Sequence, residues 1–315
     1  MKKWLQTRLT DEDYAFNPDF AFLGTVNWIN CLAQNCNVFY PVESMFVPEL
    51  QEKANSLSIS NENRVFECLF MAQHSLVGLN TIVENITFPS DVCKLCVYAW
   101  YDCILNSIRA MVISNTGIIP QNEIQLEKLW FELVEEFDFI PVPFRLQIKD
   151  LTEHNVKNEI ESLRNGNSFT LNSFASNYEQ AFGGLVSYLS GTIKYYVDCE
   201  KNKLLESELF MSLNILNFRT NKAKEYRDAH LSNLTISFLS CLTRFKGKVL
   251  ERDSIFLSYG NVQDEKVTKM LNDLLLVAKC FSDIAEQFCA KNIDSSTWRL
   301  FRADLDENSR LTAIF

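Results

Sequence analysis

The sequence predicts a mainly α protein, a multi-helix bundle built as one body or as two stacked helical subdomains. Three observations carry that prediction. Apolar residues recur at helical spacing over most of the chain, as in Val65, Phe66, Leu69, Phe70, Leu76, Val77 and Ile82. Glycine is scarce, with nine in 315 residues, against a usual share of about 7%, so folds that need many tight βα turns are disfavoured. Stretches of strand character are few: Asn37-Val38-Phe39-Tyr40 and Asp138-Phe139-Ile140 are short, and proline flanks both.

Residues 1–62 read as an irregular N-terminal segment, with an apolar stretch from Phe20 to Cys36 and a loop bracketed by Pro41 and Pro48. A helical core of 63–260 comes next. Ser60-Asn61-Glu62-Asn63 looks like the cap of its first helix. Ser90 is the candidate cap of the second, whose stripe Val92, Leu95, Cys96, Ala99, Trp100, Cys103, Ile104, Ile108, Met111 and Val112 runs to a glycine stop at Gly117. A third helix begins after Pro120-Gln121-Asn122 and is ended by Pro141 and Pro143. A charged helix from about 150 closes at Asn165-Gly166-Asn167. The next pattern runs from Ser173 through Tyr178, Phe182, Leu185, Tyr188, Leu189, Ile193 and Tyr196; Gly183, Gly184 and Gly191 inside it mark close packing or a kink. Residues 204–245 are helical with an interruption near Thr220, and Lys246-Gly247-Lys248 is expected to break the chain. Residues 261–315 supply a last long helix, about 262–291, and a tail that packs back on the core.

With 30 basic and 40 acidic residues the net charge is -10, which argues against broad, sequence-independent binding to nucleic acid. The motifs G-x-G-x-x-G, G-x-x-x-x-G-K-[ST], G-x-S-x-G and H-E-x-x-H do not occur, so the common nucleotide, hydrolase and zinc-protease chemistries lose their sequence support. The start Met1-Lys2-Lys3-Trp4-Leu5 lacks the apolar stretch of a signal peptide, and no uncharged run is long enough to span a bilayer. Ten cysteines spread through apolar helical runs read as small hydrophobes in a reducing cytoplasm. Cys93-x-x-Cys96, with Cys103 seven residues on, is the nearest approach to a metal motif. It lies within a helix without a second pair, so packing is preferred and neither metal nor cofactor is expected.

Of the three histidines, His74 reads as a core or boundary residue and His154 as solvated. His230 closes the segment Arg219-Thr220-Asn221-Lys222-Ala223-Lys224-Glu225-Tyr226-Arg227-Asp228-Ala229-His230. If this is one helix, Arg219, Ala223, Tyr226 and His230 share a stripe. An arginine that stabilises a charged phosphorane and a histidine that moves a proton are the parts of a metal-independent ribonuclease. Arg219, Arg227 and His230 are thus the candidate catalytic residues, and Lys222 and Tyr226 the candidate RNA-binding ones. The competing reading is a charged helix face knitted by its own ion pairs. The carboxylate pairs Asp11/Asp13, Glu135/Glu136 and Asp304/Asp306 read as solvated faces, and Tyr98, Trp100 and Tyr101 as helix packing.

Two segments resemble the HEPN superfamily of helical-bundle proteins. Residues Cys96 to Met111, with aromatics early, Arg109-Ala110 later and the stop at Gly117, are similar to the family's second core helix. Residues Arg219 to His230 are similar to its final helix, where an arginine and a polar residue or histidine face the bundle's cleft. The resemblance implies a helical protein of a bacterial conflict or phage-defence system, in toxin–antitoxin style. It would bind RNA, cut it without metal if it is an enzyme, form a homodimer and pair with a protein from the same operon. Ribonuclease members space Arg and His by four to six residues; here Arg227 and His230 are separated by two and Arg219 and His230 by ten. A non-catalytic helical interaction protein that recruits a partner chain is the alternative. A pocket for a small molecule, lined by Phe and Tyr, is a third reading.

Overall fold

The computed structural model describes residues 18–40, 57–138, 140–212, 216–259 and 263–309, with Trp4 besides. The loop between Pro41 and Pro48 and the pair Asp11/Asp13 lie outside the described residues. Among the described residues are twelve α-helices, one π-helical turn and one two-stranded ladder, so the fold is mainly α. No described helix is long and apolar enough to cross a membrane.

The first helix, α1 (Pro18–Cys36), falls within the segment read as irregular. Nearly every residue from Ala21 to Cys36 is buried, so the helix has no polar face. Its polar residues are buried too, and three of them are anchored to different parts of the chain. Thr25 donates to Asp253 (3.2 Å), Asn27 to the carbonyl of Leu171 (2.7 Å), and Asn30 to Asp273 (3.0 Å). Trp28 stacks on Tyr188 at 4.2 Å, packs against Phe245 at 4.7 Å and meets Trp100 edge-on at 6.0 Å.

Helices α2 (Ile59–Glu84) and α3 (Pro89–Thr116) form an antiparallel hairpin. Ser58, two residues before the predicted cap, accepts the Asn61 amide. Asn61 then donates through its side chain to the carbonyl of Gly117 (2.8 Å), tying the start of α2 to the end of α3. Gly117 stops α3 with φ 67°, as its sequence position predicts. At the other end Pro89, rather than a Ser90 cap, opens the helix, and Ser90 is buried within the first turn. Helix α4 (Glu123–Glu136) is capped by Asn122 and places Trp130 in the core.

The ladder pairs β1 (Gln147–Lys149) antiparallel to β2 (Thr235–Ser237), with Ile148 opposite Ile236. The two segments with strand character do not pair: 37–39 is a turn off the end of α1, and Phe139 lies outside the described residues. The real pairing is three residues long and nearly ninety apart in sequence, beyond the reach of local pattern.

Helix α5 (Glu153–Arg164) ends at Asn165 in the left-handed region. Helix α6 (Tyr178–Leu205), capped by Asn177, lies against α1. At Gly184 a Cβ would collide with Sγ of Cys31 and crowd Leu171, and at Gly183 it would collide with the Asn167 side chain. These two glycines serve close packing, as their place in the sequence suggests. Helices α7 (Glu208–Ser212) and α8 (Asn221–Leu231) form a small outlying unit. Helix α9 (Phe238–Lys248) begins in a Ser237/Ser240 capping box. It is not broken at Gly247: the chain continues through the π-helical turn Val249–Asp253 into α10 (Ser254–Ser258). Burial of Val249 and Leu257 and the Lys248–Asp253 ion pair (3.1 Å) hold this continuation, offsetting the roughly 1 kcal/mol that a helical glycine costs.

Helix α11 (Asp264–Asn292) packs its long apolar face on α3 and α1, and α12 (Ser295–Asn308), capped by Asp294, closes the chain. One continuous apolar core joins α1, α2, α3, α6, α9 and α11, so the body is a single bundle rather than two.

Gly184→Ala should destabilise the bundle by about 1–3 kcal/mol, the usual cost of overpacking. Cys31→Ala in the same chain should recover part of that loss, and strict additivity of the two changes in urea unfolding would remove the contact from the account. Asp283 on α11 is pushed up to about 6 by burial and by Glu286, against the opposing pull of Lys279 and a Tyr40 hydrogen bond. The folded state therefore holds this proton more tightly than the unfolded chain, and stability declines as pH rises from about 4 through about 6. Asp283→Asn should be the more stable protein at pH 8, with the gap closing below pH 5; a gap independent of pH would refute the assignment.

Candidate functional site

The segment from Arg219 to His230 is positioned by few contacts. Thr220 caps α8, accepting the Ala223 amide at 3.2 Å. Ala223 and Leu231 are the two buried residues of the helix, and the Leu231 carbonyl accepts from the amide of Leu151 (3.0 Å). The expected stripe is interrupted, because Arg219 precedes the cap and is exposed while Ala223 faces inward.

Each candidate side chain has its own surroundings. Nε and Nη2 of Arg227 both reach Oδ1 of Asp228 at 2.7 Å, and the guanidinium lies 5.9 Å from the Phe218 ring centroid. His230 Nε2 lies 2.9 Å from Oε2 of Glu200 on α6, whose other oxygen accepts from Lys203 at 2.6 Å. Burial by itself would raise the Glu200 carboxyl, but the hydrogen bonds from Lys203 and His230 outweigh it and hold the group below the usual carboxylate range. Tyr226 meets Phe210 edge-on at 6.2 Å. Arg219, Lys222 and Lys224 are exposed and have no acidic partner among the described residues. No described contact joins Arg219, Arg227 and His230 to one another.

The small cluster beneath this face went unread in the sequence. Phe210 on α7 is fully buried and meets Phe218 at 5.6 Å as well as Tyr226. Leu209 and Met211, its neighbours in sequence, and Leu216 are 49%, 59% and 86% exposed. Glu200, thirty residues before His230, was equally invisible, since the i,i+3 pair Glu200–Lys203 reads as an ordinary helix-surface bridge.

The remaining candidates sit elsewhere. Cys93, Cys96 and Cys103 are buried along α3, and the Cys93 thiol donates to the Ser90 carbonyl (3.2 Å). Burial pushes the thiol of Cys93 up to about 11 and that of Cys96 to about 12, with Cys103 also raised. Among the described residues no group of three or more His, Cys, Asp or Glu could hold a metal ion. His74 is exposed and stacks on Phe70 at 6.4 Å, rather than lying in the core or at its boundary. The reason is that the buried stripe of α2 falls on Ala72, Gln73 and Leu76, one or two residues to either side. His154 is exposed beside Asn158. Glu135 pairs with Lys149, Glu136 meets Asn115, and Asp304 accepts from Asn308, all at the surface. Trp100 and Tyr101 are buried in packing, whereas Tyr98 is 57% exposed.

Comparison with family models, with curated proteins and with solved structures found no match. The class defined by fold and site is therefore that of a mainly α bundle bearing a peripheral helix whose Arg and His are each paired with a carboxylate.

If Glu200 is what holds α8 to α6, Glu200→Ala should loosen that helix selectively. Amides of 224–231 should exchange faster in hydrogen–deuterium exchange while the α3 and α11 amides stay protected, at a global cost of about 1 kcal/mol. Unchanged exchange in α8 would show that Ala223 and Leu231 hold it without the pair.

Proposed function

We propose that this chain is a non-catalytic helical interaction protein that recruits a partner chain through the face formed by α7 and α8. The observation that carries the reading is the exposure of Leu209, Met211 and Leu216 on the short stretch that also bears the buried Phe210, followed in sequence by three cations without acidic partners among the described residues. Three large apolar side chains exposed within eight residues make this stretch the candidate contact surface. The matching partner is a protein segment that carries apolar residues flanked by carboxylates, complementary to Arg219, Lys222 and Lys224. Arg227 and His230 shape this face through Asp228 and Glu200 instead of meeting a scissile phosphate. All ten cysteines are free thiols, which suits a reducing cytoplasm.

The same three cations favour one second reading. In it, RNA is held by Arg219 just ahead of α8 and by Lys222 and Lys224 on it, with Tyr226 on the same helix, in a HEPN-like protein of a bacterial defence system. Phosphate contacts of that kind need no cleavage chemistry.

Two measurements separate these readings. Purified protein in EDTA should leave total and transfer RNA intact, and His230→Ala should behave the same. Cleavage by the wild type that the variant loses would establish a metal-independent ribonuclease. Cross-links made in extract of the source organism should gather on Lys222 and Lys224, join them to a single protein and vanish in the triple variant Leu209→Glu, Met211→Glu, Leu216→Glu. Cross-links to RNA instead would favour the second reading.

A further inference from the structure

Arg244 on α9 faces α6 without a carboxylate within ion-pair distance among the described residues. Its guanidinium carbon lies 5.3 Å from the ring centroids of both Tyr188 and Tyr195, and Nη1 donates to Oγ1 of Thr192 at 3.0 Å. Nε is buried and unpartnered, and so is the hydroxyl of Tyr188, a residue only 5% exposed. Buried polar atoms of this kind are nearly always satisfied, and a cation whose fork is held rigid between aromatic faces has already lost the freedom that binding would remove. A Cβ added at Gly191 on α6 would stand 3.6 Å from Nη1, an ordinary contact.

Gly247 and Lys248 lie three and four residues beyond Arg244 on α9, so the three share one helix face. Open space lies over Gly247, where an added Cβ would meet nothing within 4 Å. Lys248 gives one contact to Asp253 (3.1 Å) and has two further donors. Tyr195, 51% exposed, walls one side. The π-helical turn Val249–Asp253 begins at the next residue, and such turns are frequent at functional sites.

We propose that Arg244, Lys248 and Tyr195 frame a binding site for a phosphate-type oxyanion seated over Gly247. With Nη1 held by Thr192 and Nε buried, Arg244 offers the oxyanion its Nη2 end, and the ammonium of Lys248 supplies a second point charge. This site is independent of the α7–α8 face and survives or fails apart from it.

Calorimetric titration with inorganic phosphate, and in parallel with glycerol 2-phosphate, at constant ionic strength tests the proposal. Saturable binding of either by the wild type is expected, and binding of the ester alone would identify a phosphate ester as the ligand. Arg244→Gln should weaken binding by about tenfold or more, the usual effect of losing a charged hydrogen bond. Because Arg244→Gln could also disturb the α6–α9 packing, Gly247→Glu provides the independent arm. It places a carboxylate three residues from Arg244, improves helix propensity, and should abolish phosphate binding with an unchanged or higher Tm. Gly247→Ala should keep both the fold and the binding. Heats no different from those of chloride, or wild-type affinity in Arg244→Gln and Gly247→Glu, would overturn the site.

Discussion

Everything in this bundle is arranged around a helix that has no outside. Because α1 is buried along nearly its whole length, its polar side chains must find partners in other elements. Thr25 finds Asp253, Asn27 finds the Leu171 carbonyl and Asn30 finds Asp273. An unmet buried hydrogen bond costs about 1–3 kcal/mol, so these contacts fix where the π-helical turn, the loop before α6, and α11 can lie. Trp28 adds the apolar counterpart, touching rings from α3, α6 and α9 at once. The close approach of α6 at Gly184 has the same origin, since a larger residue would push α6 off Cys31.

Away from that centre the constraints weaken. Helices α7 and α8 rest on the body through Ala223, Leu231 and a separate cluster around Phe210. There, ion pairs decide side-chain direction: Arg227 turns to its own neighbour Asp228, and His230 to Glu200. These part-buried pairs determine which charges remain available. Lys222, Lys224 and Arg219 remain so, following closely in sequence on the exposed Leu209, Met211 and Leu216.

The candidate helix was legible in outline. An interruption was expected near Thr220, and the Thr220 side chain caps α8 there. What the segment does with its charges was not legible. Arg227 has Asp228 beside it and Glu200 lies a helix away, and only the path of α6 past α8 brings Glu200 to His230. The stripe through Arg219 and His230 assumed one continuous helix, and the cap at Thr220 leaves Arg219 outside it. The cluster of Arg244 with Tyr188 and Tyr195 was hidden for the same reason: an Arg in one apolar helix and tyrosines in another read separately as packing.

By itself the sequence determined the fold class and most helices with a polar side, because a helix half in water must repeat its apolar residues every three to four positions. Gly117, Asn122, Thr220 and the Asn165-Gly166 turn announced their stops and starts through local backbone chemistry. Tertiary structure alone decided the rest. It packed α1 on all sides, and it carried the chain past Gly247 by burying Val249 and Leu257. It also paired β1 with β2 across the chain and chose the partners of Arg227, His230 and Arg244. Each of these depends on what surrounds a residue in space, and a neighbour supplied by a distant segment leaves no mark on the local sequence.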